Sequence, residues 1–240
     1  MERILLMIFK NFFHWPRLLV NLLYYGGAKC KATPEKKYEA ARFIARCANR
    51  SGNLHIRVTG TEKLPEENGY IMFPNHQGLY DMVAMVDAHE RPLRPVMKME
   101  ANKNFFVRHL KDLLCGLVMD REDVRQSLQV INQMAAEVKE GANYVIFPEG
   151  TRSKNGNKVG EFKGGSFKSA TKSKCPIVPV AMIDCFKAFD THSTEPIDVQ
   201  VHFLEPIYYE EYKSMKTNEI ADMVKQRIEK VISDNEGNAD

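Results

Sequence analysis

The chain has 240 residues, 44% of them hydrophobic and 27% charged, with a formal net charge of +3. That length allows one large domain or two small ones, and the balance excludes a chain that is mostly disordered or built of repeats. Its five cysteines, Cys30, Cys47, Cys115, Cys175 and Cys185, form no C-x-x-C pair, which argues against a disulfide framework or zinc knuckle and fits a reducing compartment.

The N-terminal stretch "ILLMIFKNFFHWPRLLVNLLYYGG" is strongly apolar but is interrupted by Lys10, Asn11, His14, Pro16 and Arg17. A spanning helix needs about 20 mostly apolar residues in a run, and no small-residue cleavage site follows to make a signal peptide. Pro16 predicts a break or fresh helix start near Trp15. The reading is one or two helices lying in a membrane interface, with Trp15, Tyr24 and Tyr25 at headgroup level. Basic residues from Arg3 to Arg57 far outnumber Glu2, Glu35 and Glu39, so this end seeks an anionic partner. A bilayer surface fits better than nucleic acid, because no recognition motif accompanies the charge. A soluble helix pair packed on the core is the plain alternative. Three regions result: residues 1–50 as membrane-associating helices, 51–232 as a catalytic domain, and 233–240 as a polar tail.

Residues 34–49 have helical spacing. Strands follow at 54–60, 70–75, 93–98, 116–120 and 143–150. Helices are expected at 81–89, near 104–114, and at 123–141, the last closed by Gly141. "GGSFKSATKS" is helical, then "PIVPVAMI" and "IDVQVHFLEPI" are strands. Alternation of this kind predicts an α/β sandwich around a largely parallel twisted sheet. Functional groups in such sheets gather beyond the carboxyl ends of the strands. Four polar clusters fall there: His76 with Asp81, Lys98, Asp120 with Arg121, and Glu149 to Arg152.

His76 and Asp81 stand five residues apart in "PNHQGLYD". On one continuous helix they would diverge by roughly 140°, so they meet only if a turn lies between them. Pro74, Asn75 and Gly78 supply one. Asp81 then opens the next helix, where a carboxylate is favoured, and can hold one imidazole nitrogen while the other acts as a base. The bland alternative is a loop histidine beside a helix cap. No second His or Cys stands at metal-ligand spacing. "GGSFK" lacks the G-x-S-x-G pattern of a nucleophile elbow, and Cys115 and Cys175, flanked by apolar residues, read as buried. His76 is therefore expected to activate a substrate hydroxyl without a covalent enzyme intermediate.

"FPEGTRSKNGNK" is not a P-loop. Gly150, with an exposed backbone N–H beside Thr151 and Arg152, nonetheless suits an anion, and Arg grips phosphate through paired hydrogen bonds. Arg121 and Lys98 are further candidate cations. Together with His76 they predict a site for a phosphorylated substrate carrying a hydroxyl.

"NHQGLYD", "GLVMDR", "FPEGTRS" and "CPIVPVAM" resemble, in order and spacing, the four motif blocks of the glycerolipid acyltransferases, and most nearly those of the 1-acyl-sn-glycerol-3-phosphate acyltransferases. "FKGGSFKSA" resembles the segment joining their third and fourth blocks. The likeness runs from Leu54 to Pro206. It implies that His76, oriented by Asp81, deprotonates the sn-2 hydroxyl of lysophosphatidic acid, which attacks the thioester of acyl-CoA or acyl-carrier protein to give phosphatidic acid. It further implies that Arg121, Gly150, Thr151 and Arg152 hold the acceptor phosphate. Glu149 would bind the acceptor or brace Arg152, and Lys98 would follow a basic residue of relatives. No metal or tightly held cofactor is implied, and the resemblance places the protein peripherally or monotopically on the cytoplasmic face of a membrane. The second block departs from the usual Ile and Phe before Asp-Arg, and Gln77, Gly78 and Leu79 depart within the first. That leaves open another acceptor, such as glycerol-3-phosphate, another lysophospholipid or an aminolipid. A thioester hydrolase and a non-catalytic lipid-binding protein also remain open.

Overall fold

The computed structural model describes residues 2–236. Among them, β1 (Leu54–Thr59), β2 (Ile71–Pro74), β3 (Leu93–Lys98), β4 (Leu117–Met119), β5 (Asn143–Val145), β6 (Ile177–Ile183) and β7 (Ile197–Phe203) form one sheet in the order β1-β7-β6-β2-β5-β3-β4. Every neighbouring pair is parallel except β6 with β7. This is the largely parallel α/β architecture that the alternating pattern predicts. β6 is buried at all of its positions, which explains why "IVPVAMI" shows no polar alternation: both of its faces are covered.

The helices are α1 (Glu2–Lys10), α2 (Trp15–Leu19), α3 (Pro34–Ser51), α4 (Asp81–Ala88), α5 (Phe105–Leu113), α6 (Val124–Lys139), α7 (Lys168–Ser173), α8 (Lys187–Asp190), α9 (Tyr209–Tyr212) and α10 (Thr217–Glu236). On one face of the sheet, Tyr38, Ala41 and Ala45 of α3 and Met85 of α4 pack with Met72, Val180 and Val199. On the other, Val138 of α6, Ala170 of α7 and Val224 and Ile228 of α10 pack with Ile71, Phe73 and Ala181. Each layer removes a continuous apolar surface from water, the dominant favourable contribution to folding.

Several expectations need correction. Residues 34–50 are not part of a separate membrane segment. They form α3, which shares the core and ties to α4 through Tyr38 Oη donating to His89 O at 2.8 Å. The strand expected over 143–150 with a turn at its end is shorter, Asn143–Val145, and the turn follows it, where Gly150 N donates to Phe147 O at 3.1 Å. The 20-residue α10 is an element beyond those expected; its Ile220, Val224, Ile228 and Ile232 recur every fourth residue and are all buried. The polar tail is helical through Glu236, and 237–240 lie outside the described residues.

The N-terminal segment breaks where Pro16 predicts. α1 is followed by a 3-10 turn at Phe12–His14, then α2, which runs on as a π-helical turn over Val20–Tyr25. Met7 and Leu22 are buried, whereas Phe9, Phe12, Phe13, Val20 and Tyr24 are exposed. Arg3 does not face an anionic partner. It is buried, and its guanidinium donates to Gly52 O, Ser193 O and Glu195 O. Tyr25 packs against the core rather than standing free. No helix among the described residues is long and apolar enough to cross a membrane.

Candidate active site

β2, β3, β4, β5 and β6 all point the same way, so their carboxyl ends share one edge of the sheet. The chain leaves β2 into a loop anchored by Asn75. Its side chain donates to Met182 O at 3.0 Å and accepts from Met182 N at 2.7 Å, imitating one more residue of strand pairing with β6. His76 follows.

Asp81 is the first residue of α4 and is fully buried. Its Oδ2 accepts from His76 Nδ1 at 2.7 Å, from Gln77 N at 2.7 Å and from Gly78 N at 3.0 Å. The expected turn between the two residues is present, and it lets a buried carboxylate organise the loop and the imidazole together. A carboxylate facing Nδ1 assigns the proton to that nitrogen, so Nε2 carries the lone pair. Among the described residues Nε2 has no hydrogen-bond partner. The imidazole stacks on Phe147, with ring centroids 4.2 Å apart, which limits its rotation.

The backbone of His76 is clamped from the opposite loop. Glu149 Oε1 accepts from His76 N at 2.7 Å, Glu149 Oε2 accepts from Gly160 N at 3.1 Å, and Ser153 N donates to His76 O at 2.9 Å. Glu149 is 3% exposed, and burial pushes its carboxyl above the usual carboxylate range, with the two N–H donors opposing that shift. Glu149 was expected to bind the acceptor or brace Arg152; in the fold each of its oxygens accepts a backbone N–H that holds the histidine loop, and no contact with Arg152 is formed among the described residues.

Gly150 also differs from expectation. Its N–H is not open to an anion but donates to Phe147 O at 3.1 Å, and its φ of +73° shows why glycine stands there. Arg121 Nη1 donates to Gly150 O, so the loop after β4 reaches the loop after β5. A Cβ on Gly150 would lie 2.6 Å from that nitrogen and 3.4 Å from Lys163 Nζ. Lys163 is a cation that the sequence reading missed; its one signal was its place in "FKGGSF". The Thr151 and Arg152 side chains make no hydrogen bond within the described chain and are available to a ligand. Lys98 ends β3 but pairs with Glu100 at 2.7 Å. Cys175 is buried as expected, but Cys115 is only half-buried.

A second unforeseen group holds the site from behind. Gln77, 2% exposed, donates to Asn157 Oδ1 at 2.7 Å and accepts from Cys185 N at 2.8 Å. Asn157 in turn bonds both the backbone and the carboxylate of Asp184. The glutamine that departs from the family pattern therefore links three loops. Among the described residues no group of three or more His, Cys, Asp or Glu could hold a metal ion.

A buried aspartate and a half-buried histidine thus stand together at the carboxyl edge of a mostly parallel sheet. A model of the Acyltransferase family matches residues 55–183, and the chain belongs to that family. It is 26% identical to the 1-acyl-sn-glycerol-3-phosphate acyltransferase alpha of Mus musculus, over 73% of this chain and 62% of that protein. It is 26% identical to the 1-acyl-sn-glycerol-3-phosphate acyltransferase of Helicobacter pylori, over 73% of this chain and 80% of that one. For the chloroplastic enzyme BAT2 of Brassica napus the identity is 30%, over 63% of this chain but only 44% of the relative. In fold, the chain superposes on the crystal structure of the 1-acyl-sn-glycerophosphate acyltransferase PlsC from Thermotoga maritima with a TM-score of 0.76. That match has 19% identity and covers 98% of both chains.

Proposed function

We propose that the protein transfers an acyl group from acyl-CoA or acyl-carrier protein to the sn-2 hydroxyl of 1-acyl-sn-glycerol-3-phosphate, making phosphatidic acid for phospholipid synthesis. His76 Nε2 accepts the hydroxyl proton as the oxygen attacks the thioester carbonyl. The tetrahedral intermediate collapses with cleavage of the C–S bond, and the imidazolium returns its proton to the leaving thiolate. Asp81 holds the tautomer and stabilises the imidazolium. Arg121, Thr151, Arg152 and Lys163 bind the acceptor phosphate, and Lys98 joins them only by leaving Glu100. Gly150 shapes the turn that brings these groups together. The reaction needs no metal or bound cofactor. The exposed aromatic side chains of the N-terminal helices rest in the bilayer surface, peripherally and on the cytoplasmic face, where donor and acceptor meet.

The observation that carries this reading is the His76–Asp81 contact of 2.7 Å, with Nε2 left open. The names of the relatives supply the acceptor and the reaction class. The test is thiol release from oleoyl-CoA in mixed micelles, with and without lysophosphatidic acid, with His76→Ala alongside and the lipid product identified by mass. Acceptor-dependent release that yields phosphatidic acid and is lost in His76→Ala supports the proposal. Release that ignores the acceptor makes the protein a hydrolase. Lipid binding without turnover on either donor and any acceptor reduces it to a binding protein.

A further inference from the structure

Gln77 is bound on two sides. Its backbone N–H donates to Asp81 Oδ2 at 2.7 Å, which ties it to the carboxylate that orients the base. Its buried side chain runs the other way. Oε1 accepts from Cys185 N at 2.8 Å, and Nε2 donates to Asn157 Oδ1 at 2.7 Å. A backbone donor thus satisfies the oxygen, while the nitrogen is spent on a side chain of the loop after β5. That loop also carries Thr151 and Arg152.

The two loops are pinned together at three points. Glu149 accepts from His76 N at 2.7 Å, Ser153 N donates to His76 O at 2.9 Å, and Asn157 accepts from Gln77. Thr151 and Arg152 lie between the first two pins. Lys158 N donates to Asn155 O at 3.2 Å and Gly156 takes a φ of +62°, so the chain after Ser153 turns back and carries Asn157 to Gln77. Asn157 is itself anchored at the end of β6. Its Oδ1 also accepts from Asp184 N at 2.8 Å, and its Nδ2 donates to Asp184 Oδ1 at 3.1 Å. Phe186 lies against both loops: a Cβ on Gly78 would stand 3.4 Å from its Cα, and one on Gly156 3.6 Å from its ring.

These cross-links fix a distance. The base stands on one loop and phosphate-binding side chains on the other, so their spacing is set by what joins the loops. In a 1-acyl acceptor the free hydroxyl is on the carbon next to the phosphate-bearing one; in the 2-acyl isomer it is one carbon further away. A phosphate held at one distance from His76 Nε2 presents only one of these hydroxyls, and a misplacement of about 1 Å costs on the order of 10²-fold in rate.

We propose that Gln77 and Asn157 are positioning residues that set the spacing between the acceptor phosphate and the His76 base, and so select which acceptor hydroxyl is acylated. The inference rests on the acyltransferase reading above. The test compares wild type, Asn157→Ala and Gln77→Met on 1-O-alkyl- and 2-O-alkyl-glycerol-3-phosphate, ethers whose chains cannot migrate between carbons, with whichever oleoyl thioester the wild type accepts. On the 1-O-alkyl acceptor kcat should fall roughly tenfold in each variant, with acceptor KM within about twofold. On the 2-O-alkyl acceptor kcat should hold or rise, so that the preference falls by about the same factor. The double variant should lose no more than Gln77→Met alone, because both changes remove one bond. Thermal midpoints check folding; should Gln77→Met not fold, Asn157→Ala, in the more exposed loop, decides the matter. Equal losses on the two ethers, or a rise in KM with the preference unchanged, would overturn the proposal. A wild type that acylates neither ether would instead overturn the acyltransferase reading, and this inference with it.

Discussion

Glu149→Gln separates a residue that binds substrate from one that positions the base. The glutamate accepts one backbone N–H on each oxygen, from His76 at 2.7 Å and from Gly160 at 3.1 Å. Glutamine keeps the shape but has one acceptor, so its amide nitrogen must face one of those N–H groups, donor against donor. A buried N–H left unpaired costs about 1–3 kcal/mol, equivalent to roughly 5- to 150-fold if it is relieved by displacing the histidine loop. The loss should appear in kcat, because the Nε2 position slips relative to the acceptor oxygen, while KM for lysophosphatidic acid stays within about twofold. Glu149→Asp should lose activity comparably, since the shorter carboxylate cannot span both donors. Steady-state kinetics of phosphatidic acid formation against acceptor concentration provides the assay. A rise in acceptor KM with kcat unchanged would refute the reasoning and return Glu149 to the acceptor site.

Asp81→Asn presents an amide N–H₂ to His76 Nδ1, selecting the tautomer whose Nε2 is protonated; kcat should fall on the order of 10³- to 10⁴-fold, measured beside a circular dichroism check of folding. Lys163→Met should raise the acceptor KM about tenfold with phosphate-bearing acceptors and leave turnover of a monoacylglycerol unaffected; Lys163→Arg should recover most of the difference. Buried His89 donates from Nδ1 to Arg91 O and accepts from Tyr70 Oη at 2.6 Å, and burial pushes its pKa down to about 4. The unfolded chain binds this proton near pH 6.5 while the folded one does not, so stability falls as pH drops from about 6.5 to 4, by roughly 3 kcal/mol. Denaturant midpoints for wild type and His89→Gln should converge across that window, and parallel curves would refute it.

Much of the site was legible in the sequence because it follows a simple rule of the fold. Strands could be placed from apolar runs, and the residues just beyond them, His76, Asp81, Arg121 and Glu149 to Arg152, were the candidates. The turn between His76 and Asp81 was also legible, since Pro74, Asn75 and Gly78 leave the chain few other courses. Helix spacing likewise located α3, α4 and α6. It holds the pattern of α10 as well, in isoleucines and a valine four residues apart.

What only the tertiary structure decided is where each polar atom is directed. Residue type makes Glu149 a candidate ligand; its two oxygens become backbone acceptors because Gly160 and His76 close on it from different loops. Gly150 looks open to an anion until its N–H turns to Phe147 O. Lys163 has only its place in "FKGGSF" to mark it, yet folding brings it beside Arg121 across a gap of 42 residues in sequence. Arg3 counts as surface charge in a tally and is buried on three carbonyls in the fold. Local sequence governs backbone preference and periodic burial, which act over a few residues. Hydrogen-bond partnership between loops depends on the sheet order, which brings together segments that no local pattern connects.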